Sequence, residues 1–427
     1  MLISAVSAAA EMAADAHARP ASPRLAALAG QARNGGEALA SFWREVAASG
    51  TPLVEPVEGD HGDVLVTFLY RGGKDVENVV VFVDRGMWGD VADNAMERLP
   101  GTDVWFRTHR FRKDARFTYL LSVNDPLTTV RGLRDAGEWL KRSAGWKPDP
   151  LNPRRFPTYP APLSVVELPG APSQPWTSAR PGVPRGEVRA HKVASRILGN
   201  ERTVWVYAPP GHDPAGPALS ALLILFDGGA YNGWIPAPAI LDNLLEERRI
   251  PPLLAVLVSH PPGARDAELS CSEPFTRFLA EELLPWLRGE YRAAPDPALT
   301  VVGGLSYGGL AAAYAAFRHP EIFSGVLSQS GGFPYSPAGD PEPGWLIRKF
   351  ASAPRIPLRF HLDCGLMEDH PVKNGVLNIV SANRLLRDVL VEKGCCVHYL
   401  EFNGGHEYVN WRGTFADGLI ALFAEGR

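Results

Sequence analysis

Residues 299–310 read Leu299-Thr300-Val301-Val302-Gly303-Gly304-Leu305-Ser306-Tyr307-Gly308-Gly309-Leu310. The apolar, β-branched start predicts a short buried strand at 299–302. The alanine-rich segment 309–318 that follows predicts a helix. A Gly-x-Ser-x-Gly pattern between strand and helix is a strained turn that lifts the serine hydroxyl clear of the sheet. Glycine is needed at 304 and 308 because Cβ atoms would collide where strand and helix close on each other. The competing reading is that Ser306 only caps the helix.

Apolar runs at 222–226, 253–258, 323–327, 358–362 and 397–402 repeat the strand signal on either side. Helical spacing appears at 238–248, 274–288, 379–393 and 414–424, and 188–193 with 203–208 reads as a hairpin. Strands alternating with helices predict βαβ units and a mainly parallel sheet. The fold class is therefore α/β, and residues 187–427 are long enough to hold a complete α/β enzyme core.

The N-terminal half is patterned differently. Short strands at 64–70, 79–83, 102–107 and 116–122, with no long helical period between them, predict a smaller all-β sandwich over 41–146. Prolines recur through 147–186, which reads as an extended connector between the domains. Residues 1–40 are an alanine-rich leader, partly helical or disordered. Its apolar start lacks a basic segment and is interrupted by Glu11 and Asp15, which argues against a signal peptide.

Composition narrows the function. Hydrophobic residues at 45% and a net charge of −4 describe a globular chain without the broad basic field of a nucleic-acid or anionic-membrane binder. No run is long enough for a membrane span. The four cysteines lack zinc-ligand or C-x-x-C spacing, and no His-x-His or H-E-x-x-H pattern supports a metal mechanism.

A serine nucleophile needs a base. In the α/β-hydrolase order the base lies on a loop after the last strand. His406, in Asn403-Gly404-Gly405-His406-Glu407, has that position. The acid that orients it belongs after the strand at 358–362, where Glu368 and Asp369 are both candidates and Asp363 is too close to the strand. An oxyanion hole needs two preorganised amides. One is Tyr307 N–H; the other belongs to the loop Asp227-Gly228-Gly229-Ala230-Tyr231, with Gly228 and Gly229.

Three segments together resemble the enterochelin (enterobactin) esterase family: 303–310, Leu327-Ser328-Gln329-Ser330-Gly331, and Gly404-Gly405-His406-Glu407-Tyr408-Val409-Asn410-Trp411-Arg412. Residues 51–56, 96–105 and 149–153 resemble that family's N-terminal domain, and 175–184 its connector. The resemblance implies hydrolysis of the trilactone of a ferric catecholate siderophore, or of its linear esters. The expected compartment is the cytoplasm, with the periplasm as the alternative. The resemblance also implies an α/β-hydrolase (esterase D-like) catalytic domain over 187–427, with Ser306 and His406 as nucleophile and base. It favours Glu368, because family members often place Glu three residues after the glycine matched by Gly365. Glu407 departs from the usual Gly-Gly-His-Asp pattern. No cofactor is implied, since iron enters only with the substrate. The expected partner is that small molecule, with neither nucleic acid nor membrane.

A trianionic tris-catecholate calls for arginine and aromatic groups. Arg265, in an Arg-x-x-Glu-Leu stretch, and Trp411 and Arg412 are the expected substrate contacts. Trp88, Trp105, Arg107 and Arg110 of the first domain are further candidates. Two other readings are a carbohydrate-linked esterase (feruloyl or acetyl-xylan type) and a non-catalytic siderophore carrier on the same fold.

Overall fold

The apolar runs of the C-terminal half become one sheet in the computed structural model, which describes residues 21–31, 36–84, 89–130, 136–159, 161–213, 216–370 and 377–424. Two compact units emerge, Met1–Ala171 and Pro172–Arg427.

In the second unit the strands are β9 (Glu187–Ser195), β10 (Asn200–Ala208), β11 (Ala221–Phe226), β12 (Leu253–Val258), β13 (Thr300–Leu305), β14 (Gly325–Gln329), β15 (Arg359–Gly365) and β16 (Cys396–Phe402). They lie in the order β16-β15-β14-β13-β11-β12-β10-β9. Neighbours from β16 to β12 are parallel, whereas the β9–β10 hairpin and the β10–β12 pair are antiparallel. Buried on both faces, the central strands are continuously apolar, and alternate residues serve different cores. Leu222, Ile224 and Phe226 pack into one cluster. Ala221, Leu223 and Leu225 pack into the other. Each leucine, isoleucine or phenylalanine among them contributes roughly 1.5–3 kcal/mol by leaving water.

The helix after the serine turn covers Tyr307–Arg318, and the C-terminal helix Tyr408–Ala424. The latter begins six residues before the expected start at 414. The apolar period at 274–288 resolves into helices Glu273–Arg277 and Leu284–Tyr291, joined by a π-helical stretch at Phe278–Leu283. Helix Trp345–Ser352 was not expected; its buried Leu346, Ile347 and Phe350 carry the signal that could have found it.

The first unit is two four-stranded antiparallel sheets. One holds β1 (Leu53–Val57), β2 (Asp60–Arg71), β5 (Val104–Arg112) and β4 (Glu97–Arg98). The other holds β3 (Val79–Val83), β6 (Arg116–Val123), β8 (Leu163–Glu167) and β7 (Arg155–Phe156). They meet through Phe68 against Tyr119 at 4.7 Å and Phe111 against Phe117 at 4.6 Å between ring centroids.

Two boundaries differ from expectation. The connector at 147–186 contains β7 and β8, and β8 pairs with β6. The first unit therefore runs to Ala171, well past 146. Prolines 157, 160, 162 and 169 flank β8 without entering it, so its ladder keeps every amide. The leader is not loose over its described part. Helices Pro23–Gln31 and Gly36–Ser49 bury Leu25, Leu28, Phe42, Trp43 and Val46 against the first sheet, and the boundary at 41 falls inside the second helix. Ser22 and the Arg24 amide both donate to Glu55, fixing the entry to the first helix. Residues 1–20 of the leader, and Trp88, lie outside the described residues. Arg110 is engaged by Asp60 and Asp63, Arg107 by Glu97, and Trp105 is buried beneath Arg98.

Candidate active site

Ser306 sits between β13 and the helix Tyr307–Arg318 with φ 56° and ψ −121°, a conformation that costs a non-glycine residue about 1–3 kcal/mol. Surrounding bonds hold it there. Its amide donates to Gln329 O at 2.8 Å, and its carbonyl accepts from Gly309 at 3.0 Å and Gly332 at 2.9 Å. A Cβ on Gly304 would stand 2.6 Å from the Gly308 backbone, so the turn tolerates nothing larger. The Ser306 side chain makes no capping bond to the helix. The hydroxyl therefore stands at the head of the helix without the capping role that was the competing reading.

His406 follows β16 on a short loop. Its Nδ1 lies 2.5 Å from Glu368 Oε2. The other glutamate oxygen, Oε1, accepts from Ser330 Oγ at 2.6 Å and Gly365 N–H at 2.7 Å. The acid loop and the histidine loop are tied by backbone bonds from Leu366 to Phe402 O and from Met367 to Gly404 O. Sequence left Glu368 and Asp369 open, and the geometry separates them. Glu368 is buried against the imidazole, whereas the Asp369 side chain is 63% exposed beside His370. Asp363 is wholly buried at the strand end, 3.6 Å from His361 Nε2, and loss of hydration pushes its carboxyl up from the ordinary range.

The residues expected to touch substrate behave differently from one another. Trp411 is a correction: it is 2% exposed and forms part of the core beneath the histidine. Its indole N–H donates to Ser330 Oγ at 2.9 Å, and its ring meets the His406 ring edge-on at 4.7 Å. A residue just inside the start of the last helix is carried into the core by the helical period, which the tryptophan's size reinforces. Arg412, one position on, is half-buried and donates to Gln174 Oε1 at 2.7 Å. Arg265 makes a two-pronged ion pair with Asp227, at 2.6 Å and 2.7 Å.

The loop expected to supply the second oxyanion amide begins helix Gly228–Asn232 directly after β11. A Cβ on Gly228 would stand 2.5 Å from the Leu257 backbone, so only glycine lets the loop lie this close to β12, while Gly229 borders open space. Gly229 and Tyr307 each stand in the first turn of a helix, where amides have no intrahelical acceptor. Sequence reasoning missed Ser330 as a support for the acid. Its φ of 47° in a non-glycine residue is the structural sign, and Leu327–Gly331 had been singled out only as a motif.

A family model described as "Putative esterase" matches residues 195–422. A second, "Enterochelin esterase, N-terminal", matches 65–177. The chain is 32% identical to an iron(III) enterobactin esterase of Dickeya dadantii, over 89% of this chain and 92% of that one. It is 30% identical to an iron(III) salmochelin esterase of Escherichia coli O6:H1, over 90% and 93%. Among solved structures, a ferric enterobactin esterase of Salmonella typhimurium superposes with a TM-score of 0.73 at 27% identity, covering 90% of this chain and 99% of that one. An enterobactin esterase of Shigella flexneri, crystallised in the presence of enterobactin, gives 0.71 at 26% identity over 90% and 98%. On both its domains and nearly its whole length, this chain belongs to the enterochelin esterase family of carboxylic ester hydrolases.

Proposed function

We propose that the chain hydrolyses the ester bonds of a ferric catecholate siderophore trilactone such as enterobactin, releasing its iron for use. Ser306 Oγ attacks a lactone carbonyl while His406 takes its proton. Glu368 accepts a hydrogen bond from His406 Nδ1–H, which keeps that proton on the ring, leaves Nε2 as the basic nitrogen and stabilises the imidazolium as it forms. The amides of Gly229 and Tyr307 receive the oxyanion as it forms. His406 then protonates the departing serine alkoxide of the trilactone, and water repeats the sequence on the acyl-enzyme. The iron travels with its catecholates as part of the substrate.

The observation that carries this reading is the 2.5 Å His406–Glu368 pair on loops next to the uncapped, strained Ser306 turn. The similarity to named enterobactin and salmochelin esterases supports the substrate class. We place the reaction in the cytoplasm. The support is that Cys271, Cys364, Cys395 and Cys396 are free thiols, as suits a reducing compartment.

The test is mass-spectrometric product analysis with ferric and iron-free enterobactin side by side. The wild-type chain should yield linear esters, each cleavage adding one water. Ser306→Ala should yield none while still binding the ferric substrate. Equal turnover by that variant, or faster cleavage of feruloyl-oligosaccharides by the wild type, contradicts the proposal.

A further inference from the structure

We infer that Arg265 acts as a positioning residue, holding the Asp227 carboxylate away from the oxyanion amides that this carboxylate would otherwise occupy. The inference rests on the esterase reading above and departs from the expectation that Arg265 contacts substrate.

Asp227 stands at the N-cap of helix Gly228–Asn232. An aspartate there normally accepts a hydrogen bond from the second or third helical amide. The second amide is Gly229 N–H, the one needed for the oxyanion. Asp227 makes no such bond, and its backbone is left-handed at φ 57° and ψ 43°. Both its oxygens are taken by Arg265 instead, Oδ1 from Nε at 2.6 Å and Oδ2 from Nη2 at 2.7 Å. A planar guanidinium fits this two-pronged task, whereas a lysine would hold the carboxylate at one point.

The carboxylate also lies close to the other half of the hole. Asp227 Oδ2 is 3.4 Å from where a Cβ on Gly308 would stand, beside the first turn of the helix that starts at Tyr307. A bare carboxylate in that place would compete for the amides and repel the developing oxyanion. Behind Asp227 the space is filled. His260 Nε2 lies 4.0 Å from Oδ1, and its Nδ1 is bound to Glu268 at 2.6 Å. Glu268 is held in turn by buried Arg202 at 2.7 Å and 2.9 Å. Released from Arg265, the carboxylate would be free to turn toward the first turns of the two helices it stands beside.

The experiment uses the full chain with a neutral ester, 4-nitrophenyl butyrate, and a fluorophosphonate that phosphonylates Ser306. Arg265→Gln should lower kcat and the labelling rate by about 100-fold, the lower end of the range for losing one oxyanion donor, with KM for the neutral ester unchanged. Adding Asp227→Gly removes the competing carboxylate and suits the left-handed backbone. The double variant should recover at least about tenfold of that loss. Arg265→Lys should retain about a third of the wild-type rate, because a cation still faces Asp227. Matching thermal midpoints show that the variants are folded.

The inference is overturned if Arg265→Gln slows only the anionic siderophore through KM, the mark of a substrate contact. It is also overturned if the double variant stays as slow as the single one. A wild-type chain inert toward ester and fluorophosphonate alike would overturn the esterase reading itself, and the inference with it.

Discussion

Two histidine–glutamate pairs lie near the Ser306 turn, and they differ in what surrounds them. His406 Nδ1 meets Glu368 at 2.5 Å, and His260 Nδ1 meets Glu268 at 2.6 Å. Distance alone does not distinguish them. Their surroundings do. The His406 side chain is 21% exposed, and Glu368 takes its other bonds from neutral donors, Ser330 Oγ and Gly365 N–H. The His260 side chain is 5% exposed and lies against Phe275, and Glu268 is already matched by Arg202. Hydrogen bonds from His260 and Arg202 outweigh burial and hold the Glu268 carboxyl below its usual range. The first pair keeps an accessible imidazole and a carboxylate whose charge is available to it. The second is a sealed charge network packed against Asp227. A base must be reachable as well as paired.

The largest test of that contrast is removal of each imidazole. His406→Ala should reduce kcat by about 10⁴-fold or more with little change in thermal midpoint. His260→Ala should reduce it by only about tenfold and lower the midpoint by several degrees, since it opens a hole in a buried network. Equal activity losses would erase the distinction.

The two glutamates follow. Glu368→Gln should cost kcat about 10²- to 10⁴-fold, because the amide no longer selects the tautomer that leaves Nε2 basic. Glu268→Gln should act on stability instead, by about 3–5 kcal/mol in denaturant titration, because it leaves Arg202 buried without its counter-charge. A milder change tests the support of Glu368. Trp411→Phe keeps the ring against His406 and deletes the donor to Ser330, for an expected loss of about three- to tenfold in kcat.

A third histidine marks the limit of the comparison. His109, in the first unit, has its Nε2 2.9 Å from the side-chain amide oxygen Oδ1 of Asn94 instead of a carboxylate. Burial first, then the neighbouring Arg107, pushes its pKa down from 6.5 to about 4. The unfolded chain therefore binds a proton that the folded unit resists. The contribution is fully present above about pH 6.5 and is lost as pH falls toward about 4. His109→Gln should flatten the pH dependence of stability in that window and leave ester turnover unchanged.

Much of this was legible in the chain. The run 299–310 specified the elbow because strand, paired glycines and small-residue helix each constrain the same turn. Position after the last strand singled out His406, which the structure sets against Glu368. Three features were not legible, each for a physical reason. Glu368 and Asp369 are adjacent and chemically alike, and only the loop's path turns one toward the imidazole. Trp411 reads as a substrate aromatic until the helix start is known to lie at Tyr408, which rotates it into the core. Leu163–Glu167 was hidden by its flanking prolines, although its own five residues are a competent strand.

The account is tested most directly by fluorophosphonate labelling, with peptide mapping, of the wild type, His406→Gln and His260→Gln. It predicts rapid labelling of Ser306 in the wild type, labelling within about tenfold of that rate in His260→Gln, and almost none in His406→Gln. Labelling of His406→Gln at the wild-type rate, or labelling at a residue other than Ser306, would contradict it.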